Sequence, residues 1–204
     1  MSSFGGMAKA DRRIEQGQAT RDRLVAIATE LFAKQGYEGT SIELVLEKAA
    51  VSRGALYHHF ATKEALFEAV LERVEAEIAH AVAKAAQSAP DAVGRLRAGC
   101  AAWLRIARDP VAQQIALLDA PSVVGWERWR EIDGRHGFGM LRAALAAVAA
   151  EGLLRKDLVD SLAHVLLAAL LELALVIARS PEPRAELRKG ERTVEALLDG
   201  LLSP

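Results

Sequence analysis

Apolar residues recur at helical spacing along most of the chain, and no stretch alternates convincingly as a strand would. The first clear stripe consists of Leu24, Ile27, Ala28, Leu31 and Phe32. We expect this helix to start at Thr20 and to end at Gly36, because glycine is the usual residue just past a helix end. The whole pattern predicts an all-α protein of about nine helices.

Two short helices follow, joined by a four-residue turn. Thr40 and Glu43 form a capping-box pattern at the start of the first. Its core face consists of Ile42, Val45, Leu46 and Ala49. Ser52 is a good N-cap for the second helix, which lies within Val51–Phe60, VSRGALYHHF. Two short helices joined in this way form a helix-turn-helix.

The second of these helices has the composition of a DNA recognition helix. Leu56 and Phe60 lie four apart on one apolar face, which leaves small residues and hydrogen-bond donors on the other. No Asp or Glu occurs from Val51 to Lys63, as expected of a surface that approaches phosphates. Residues 1–63 carry nine Lys/Arg against seven Asp/Glu, and the remainder carries a net charge of −3.

The remainder of the chain is predicted to be helical. Thr62 caps a helix that runs to about Lys84, with Glu75 among its residues expected to face water. Further helices are expected at Asp91–Arg108, in a short segment Val111–Leu118, and at about 123–150, 157–179 and 184–202. We expect a disordered N-terminal arm at 1–18, a helix-turn-helix DNA-binding domain at 19–64 and a ligand-binding and dimerisation domain at 65–204. Lys9, Arg12 and Arg13 of the arm are either a solvated tail or contacts to a DNA backbone.

Composition narrows the class of protein. The single cysteine, Cys100, excludes an intramolecular disulfide and is expected to be a small buried hydrophobe. We expect no metal, no cofactor and no enzymatic activity, because the chain shows no ligand cluster and no nucleophile–base or paired-carboxylate motif. The N-terminus lacks a signal-peptide core, which favours the cytoplasm. Leu162–Ala178 is long and apolar, but His164 and Glu172 favour a buried helix over a membrane span.

The stretch from Thr20 to Leu66 resembles the N-terminal domain of the TetR family of bacterial transcriptional regulators. The matching blocks are A..LF...GY..TS, then VS.GALYHHF, then KE.L, in the family's order and spacing. One departure is Ala50, where the family commonly has glycine in the turn. If that position needs a positive φ, alanine costs roughly 1 kcal/mol of local strain.

The resemblance implies that the recognition helix lies in the major groove of double-stranded DNA. Arg53 and Ala55 are then best placed for base edges, with Arg53 suited to guanine. Phosphate contacts are expected from the polar groups around them. The complete predicted DNA-binding set is Thr40, Ser41, Ser52, Arg53, Gly54, Ala55, Tyr57, His58, His59 and Lys63.

A homodimer is expected, because one helix-turn-helix reads few base pairs and a dimer reads a palindromic operator. The last two long helices each carry a broad apolar stripe, which we expect to form a four-helix interface; burial within one protomer is the alternative. The predicted dimerisation residues are Leu162, Val165, Leu166, Ala169, Leu170, Leu173, Ile177, Val194, Leu197, Leu198 and Leu201.

An effector pocket is expected in the middle of the chain, where all three tryptophans lie. The predicted lining is Trp103, Leu117, Trp126, Trp129, His136, Met140, His164 and Leu171. The segment GWERWR, residues 125–130, lines either this pocket or the dimer interface.

These features predict a cytoplasmic, homodimeric, TetR-like repressor that a small apolar or amphipathic effector releases from its operator. The alternative is a helical interaction or ligand-sensing module whose DNA head no longer reads sequence.

Overall fold

The computed structural model describes residues 4–202, with side chains described from residue 14. In this part the regular structure is entirely helical, as predicted. The helices are α1 (Phe4–Gly39), α2 (Ile42–Ala49), α3 (Arg53–His59), α4 (Lys63–Ala86), α5 (Ala92–Ile106), a π-helical segment (Ala112–Asp119), α6 (Ala120–Val123), α7 (Trp126–Arg135), α8 (Gly137–Ala150), a 3₁₀ turn (Lys156–Leu158), α9 (Val159–Arg179) and α10 (Pro183–Leu201).

Helix α1 begins earlier than predicted, since its backbone is already helical at Phe4. The expected start at Thr20 and the expected disorder of residues 4–18 are therefore wrong. This segment is rich in Ala, Lys, Arg, Glu and Gln, all good helix formers, and these outweigh its few glycines. Residues 1–3, and the side chains of Lys9, Arg12 and Arg13, lie outside what the structure describes. The predicted end at Gly36 is confirmed by its φ of 71° and ψ of 172°.

The helix-turn-helix forms as predicted, with one change of cap. Ser41, and not Thr40, caps α2, because its Oγ accepts the backbone N–H of Leu44 at 3.1 Å. Ser52 caps α3 by accepting the N–H of Ala55 at 3.2 Å. In the turn, Ala50 has φ 53° and ψ 44°, so the position does need the left-handed conformation.

The first of two cores joins the helix-turn-helix to the helices behind it. Leu24, Phe32 and Leu56 pack with Leu66 and Phe67 of α4, and all five side chains are fully buried. The same core includes Ile115 and Ala116 of the π-helical segment and Ile132 of α7. The DNA-binding unit is thus packed directly on part of the body.

The second core lies among α5, α8, α9 and α10. Seven residues of α9 are buried, so it packs as a core helix. By length and composition alone, the stretch Lys156–Arg179 would also pass for a membrane span, a test that the core helix of a soluble protein passes as well. The residues of α9 that remain exposed include Val165 and Val176.

The helix expected at about 123–150 is broken in two at His136, whose φ is −117° and ψ is −94°. The chain folds tightly here: a Cβ on Gly139 would lie 2.6 Å from the carbonyl oxygen of Gly134. A Cβ on Gly137 would lie 2.9 Å from Oδ1 of Asp133. These glycines permit a close approach that the apolar periodicity alone did not reveal.

Candidate nucleic-acid interface and ligand cavity

The exposed face of α3 is built on two buried anchors. Leu56 and Phe60 point into the first core, with exposed fractions of 0% and 4%. Ser52, Arg53, Gly54, Tyr57 and His58 are exposed on the other side, and Ala55 is half-buried. A Cβ on Gly54 would meet nothing within 4 Å, so this part of the surface is open. The helix therefore presents the predicted set of side chains outward.

Arg53 is paired with a carboxylate that the sequence stretch alone did not include. Its Nη2 lies 2.6 Å from Oε1 of Glu43, which lies on α2 ten residues earlier. Both side chains are more than half exposed. The pKa of Glu43 is held below its usual range by a hydrogen bond from its own backbone and by Arg53. The guanidinium must leave or share this partner to contact DNA.

Lys63 and the two histidines differ in their surroundings. The Nζ of Lys63 lies 4.0 Å from the ring centroid of Tyr37, a cation–π contact at the start of α4. His58 is exposed, whereas His59 is half-buried with its ring towards Gly17 of α1. His58 is thus the freer of the two for a phosphate.

The prediction that Thr40 contacts a phosphate is wrong, because its side chain is buried. It is only 1% exposed, and its hydroxyl donates to the carbonyl of Gly36 at 2.9 Å. Its backbone N–H bonds to the carbonyl of Tyr37 at 3.2 Å. The neighbouring Ser41 is exposed at the start of α2 and remains available.

The body contains an apolar cavity of about 310 Å³ between α4, α5, α8 and α9. Most of its walls are aliphatic or small side chains, and Trp103 and Met140 are the two of its lining residues that were predicted. Cys100 also lines it and is 3% exposed. Burial raises the pKa of this thiol to about 12, which keeps it protonated and confirms it as a small hydrophobe.

A second cavity of about 20 Å³ lies next to the first, and Trp103 and Leu167 border both; we call it the polar cavity because two acidic side chains are part of its otherwise apolar lining. Four predicted residues line it: Trp103, Leu117, Trp129 and Leu171. Two acidic residues line it as well, Glu75 and Asp133, with exposed fractions of 8% and 7%. Burial and the neighbouring Asp133 raise the pKa of Glu75 to about 7. The expectation that Glu75 faces water is therefore wrong.

Three predicted ligand-binding residues, Trp126, His136 and His164, line neither cavity. Trp126 is 65% exposed at the start of α7, beside Arg130. His136 is held by Glu72, with Nε2 2.9 Å from Oε2, and burial and Arg135 lower its pKa. His164 is exposed and stacks on Phe138 at 4.5 Å.

The segment 125–130 consequently divides between two environments. Trp129 is 7% exposed and borders the polar cavity, whereas Trp126 lies on the surface with the two ring centroids 5.1 Å apart. Of the two tryptophans in this segment, only Trp126 is exposed enough to contact a dimer partner, and that contact stays a prediction.

The predicted dimerisation stripes are largely used within the protomer. Five of the predicted dimerisation residues are each at most 3% exposed and belong to the second core: Leu166, Leu170, Ile177, Val194 and Leu198. The prediction that these five face a partner chain is therefore wrong. Val165 and Leu197 are exposed, at 64% and 43%. Half-buried positions are Leu162, Ala169, Leu173 and Leu201. A helix facing both a core and a partner shows the same broad apolar stripe in sequence.

A direct hydrogen bond joins the cavity region to the helix-turn-helix. Asp119, at the end of the π-helical segment, accepts the backbone N–H of Tyr37 at 2.8 Å and the side-chain amide of Gln114 at 3.0 Å. Ala112, Ala116 and Leu117 of the same segment line the polar cavity. The segment thus contacts both the polar cavity and the end of α1, which leads into the helix-turn-helix.

A helix-turn-helix with an outward, acid-free recognition helix, packed on an all-helical body with an internal cavity, defines a DNA-binding protein equipped to hold a small molecule. Residues 24–70 match the family described as bacterial regulatory proteins, tetR family. Residues 93–201, more than half of the chain, match the tetracyclin repressor-like C-terminal domain. The chain belongs to the TetR family of bacterial transcription regulators.

Relatives agree with this assignment. The transcriptional repressor NicS of Pseudomonas putida is 29% identical over 169 residues, which cover 79% of this chain and 78% of NicS. The regulator UidR of Escherichia coli is 38% identical over 61 residues, so this chain covers only 31% of UidR. A TetR-family regulator from Pectobacterium atrosepticum superposes with a TM-score of 0.78 and 31% identity, over 93% of this chain and 97% of that one.

Proposed function

We propose that the protein is a homodimeric, cytoplasmic repressor that binds a palindromic operator and is released by a small apolar or amphipathic effector. The observation that carries this proposal is the outward face of α3, on which Arg53, Tyr57 and His58 stand exposed with no acidic residue on the helix itself. NicS, which matches along most of its length, is named a repressor, and this supports repression here.

The dimer is proposed to form through the exposed faces of α9 and α10. Val165 and Val176 of α9 and Leu197 of α10 are large apolar side chains with exposed fractions of 64%, 44% and 43%. The half-buried Ala169 lets a partner helix approach α9 closely. An interface here would cover apolar surface that is costly to leave in water.

The effector is proposed to occupy the apolar cavity. A volume of about 310 Å³ with few polar groups suits a small hydrophobic or amphipathic molecule. Release requires that the effector favour one arrangement of the two recognition helices over the other. The π-helical segment and α4 are the proposed route, because each contacts a cavity and the first core.

Selection of bound duplexes from a random DNA pool at near-physiological salt, followed by sequencing, tests this proposal. A motif of two inverted half-sites is expected. Enrichment without any motif would contradict it, and the interaction or ligand-sensing module with a DNA head that no longer reads sequence would then be favoured. Chemical cross-linking of the Val165→Arg variant, compared with that of the unchanged protein, tests the dimer. A charge buried at the interface should prevent dimerisation, so the variant should remain monomeric.

A further inference from the structure

Two polar groups beside the polar cavity have no hydrogen-bond partner among the described residues. Glu75 is 8% exposed and takes part in none of the hydrogen bonds or ion pairs of the described residues, and burial together with Asp133 raises its pKa. The Nε1–H of Trp129 is buried, and no described residue provides an acceptor for it. Buried polar groups without partners are rare and costly, so such a pair calls for a partner from outside the chain.

The neighbouring Asp133 differs from Glu75, since its carboxylate has a hydrogen-bond donor within the protein. Its Oδ2 accepts from Nη1 of Arg130 at 3.0 Å, so this carboxylate has a charged donor. The unmatched groups of the cavity are therefore one carboxyl and one N–H. A single group that both donates and accepts matches the chemistry of the two of them.

The size and position of the cavity limit what this group can be. About 20 Å³ holds one water-sized group and little more. Trp103 and Leu167 border both cavities, so a movement of these two side chains would let a molecule in the apolar cavity place one end in the polar cavity. The ligand should thus be apolar along its body with one small polar end.

We propose that Glu75 and Trp129 recognise the hydroxyl group of an otherwise apolar alcohol or phenol. The hydroxyl oxygen accepts the Nε1–H of Trp129, and the hydroxyl hydrogen is donated to the carboxyl of Glu75. An ether accepts only, and an ammonium donates only, so each leaves one group unmatched. A carboxylate cannot donate and is repelled by the two acidic side chains. The assignment rests on the proposed effector site in the body and specifies its ligand class.

Titration calorimetry on the complete protein without DNA tests the ligand class with four probes of similar length: octanol, its isomer heptyl methyl ether, octylamine and octanoate. Octanol should bind about ten-fold more tightly than the ether, because one buried hydrogen bond distinguishes them. Equal affinity of octanol and the ether, or tighter binding of the amine or the carboxylate, would overturn the assignment.

Variants locate the effect. Glu75→Leu and Trp129→Phe should each bring the octanol-to-ether affinity ratio close to one, whereas Glu75→Gln, which still accepts and donates, should keep most of it. Glu77→Leu is the matched control, because Glu77 lies on the same helix, is 62% exposed and pairs with Arg73. A ratio unchanged in folded Trp129→Phe would refute the site even if Glu75→Leu failed to fold. Since no DNA is used, this result is independent of operator binding.

Discussion

The carboxylate of Asp119 accepts the backbone N–H of Tyr37 at 2.8 Å, across 82 positions of sequence. Asp119 ends the π-helical segment, a rare conformation often found at functional sites. Tyr37 directly follows Gly36, where α1 breaks. This bond therefore connects the wall of the polar cavity to the DNA-binding unit. A displacement of the π-helical segment is expected to displace the end of α1 with it.

Removal of this bond should weaken the contact between the π-helical segment and the DNA-binding unit. We expect Asp119→Ala to lower the free energy of unfolding by about 1–2 kcal/mol, because the partly buried Tyr37 N–H loses its acceptor. Urea unfolding measures this. The control is Asp157→Ala, whose exposed pair with Arg155 should contribute far less to stability. Equal losses in the two variants would show that the Asp119 contact is not special.

Glu43 should restrain DNA binding in the wild-type protein. In Glu43→Gln the Arg53 guanidinium loses its charged partner and a carboxylate leaves the interface, so affinity for duplex DNA should rise by about three- to ten-fold at low salt. Fluorescence anisotropy with a labelled duplex measures it. Glu47→Gln, an exposed acid on the same helix, controls for the change in net charge. Weaker binding by Glu43→Gln would instead mean that Glu43 holds Arg53 in place for its base.

Ala50→Gly should stabilise the helix-turn-helix. Ala50 is the only non-glycine residue in the described part of the chain with a positive φ, at 53°. Glycine relieves the steric cost but loses more chain entropy on folding, so we expect a net gain of about 0.5–1 kcal/mol. The urea midpoint measures it. Ala49→Gly should have the opposite sign, since Ala49 is buried and helical.

Glu75 should make stability depend on pH. Its pKa is raised from 4.5 to about 7, so between these values the folded protein holds a proton that the unfolded chain has released. The stabilisation relative to Glu75→Gln is therefore present at low pH and is lost as pH rises through about 7, by at most about 3 kcal/mol. Asp133 is the charged group that acts on Glu75, and it is present in both proteins, so the difference between them isolates Glu75. A difference that stays flat from acid to neutral pH would contradict the burial of its charge.

Sequence features that act over a few residues predict the DNA-binding unit of this protein well. The apolar spacing of α1, Gly36, Ser52 and the cap Thr62 each act over a few residues, and the structure confirms them. Thr40 and Ser41 are adjacent hydroxyl residues, and only the tertiary burial of Thr40 decides which one caps α2. Glu43 was overlooked as the partner of Arg53 because the two lie on different helices.

The body was harder to predict because its helices each face more than one neighbour. An apolar stripe on α9 or α10 looks the same whether it faces a core or a second chain, which explains the misplacement of Leu166 and Leu198. One signal was available for Glu75. It continues the spacing of Phe67 and Leu71 along α4, which places a carboxyl among residues of the buried face.

Sequence recognition by α3 is tested by comparing Arg53→Ala with Arg73→Ala on the selected duplex and on a scrambled one. Arg53 stands on the exposed face of α3, whereas Arg73 lies on α4 in a pair with Glu77. We expect Arg53→Ala to lower the ratio of the affinity for the selected duplex to that for the scrambled one by about ten-fold or more, and Arg73→Ala to leave this ratio unchanged. A full ratio in folded Arg53→Ala would contradict recognition of sequence by this face of α3.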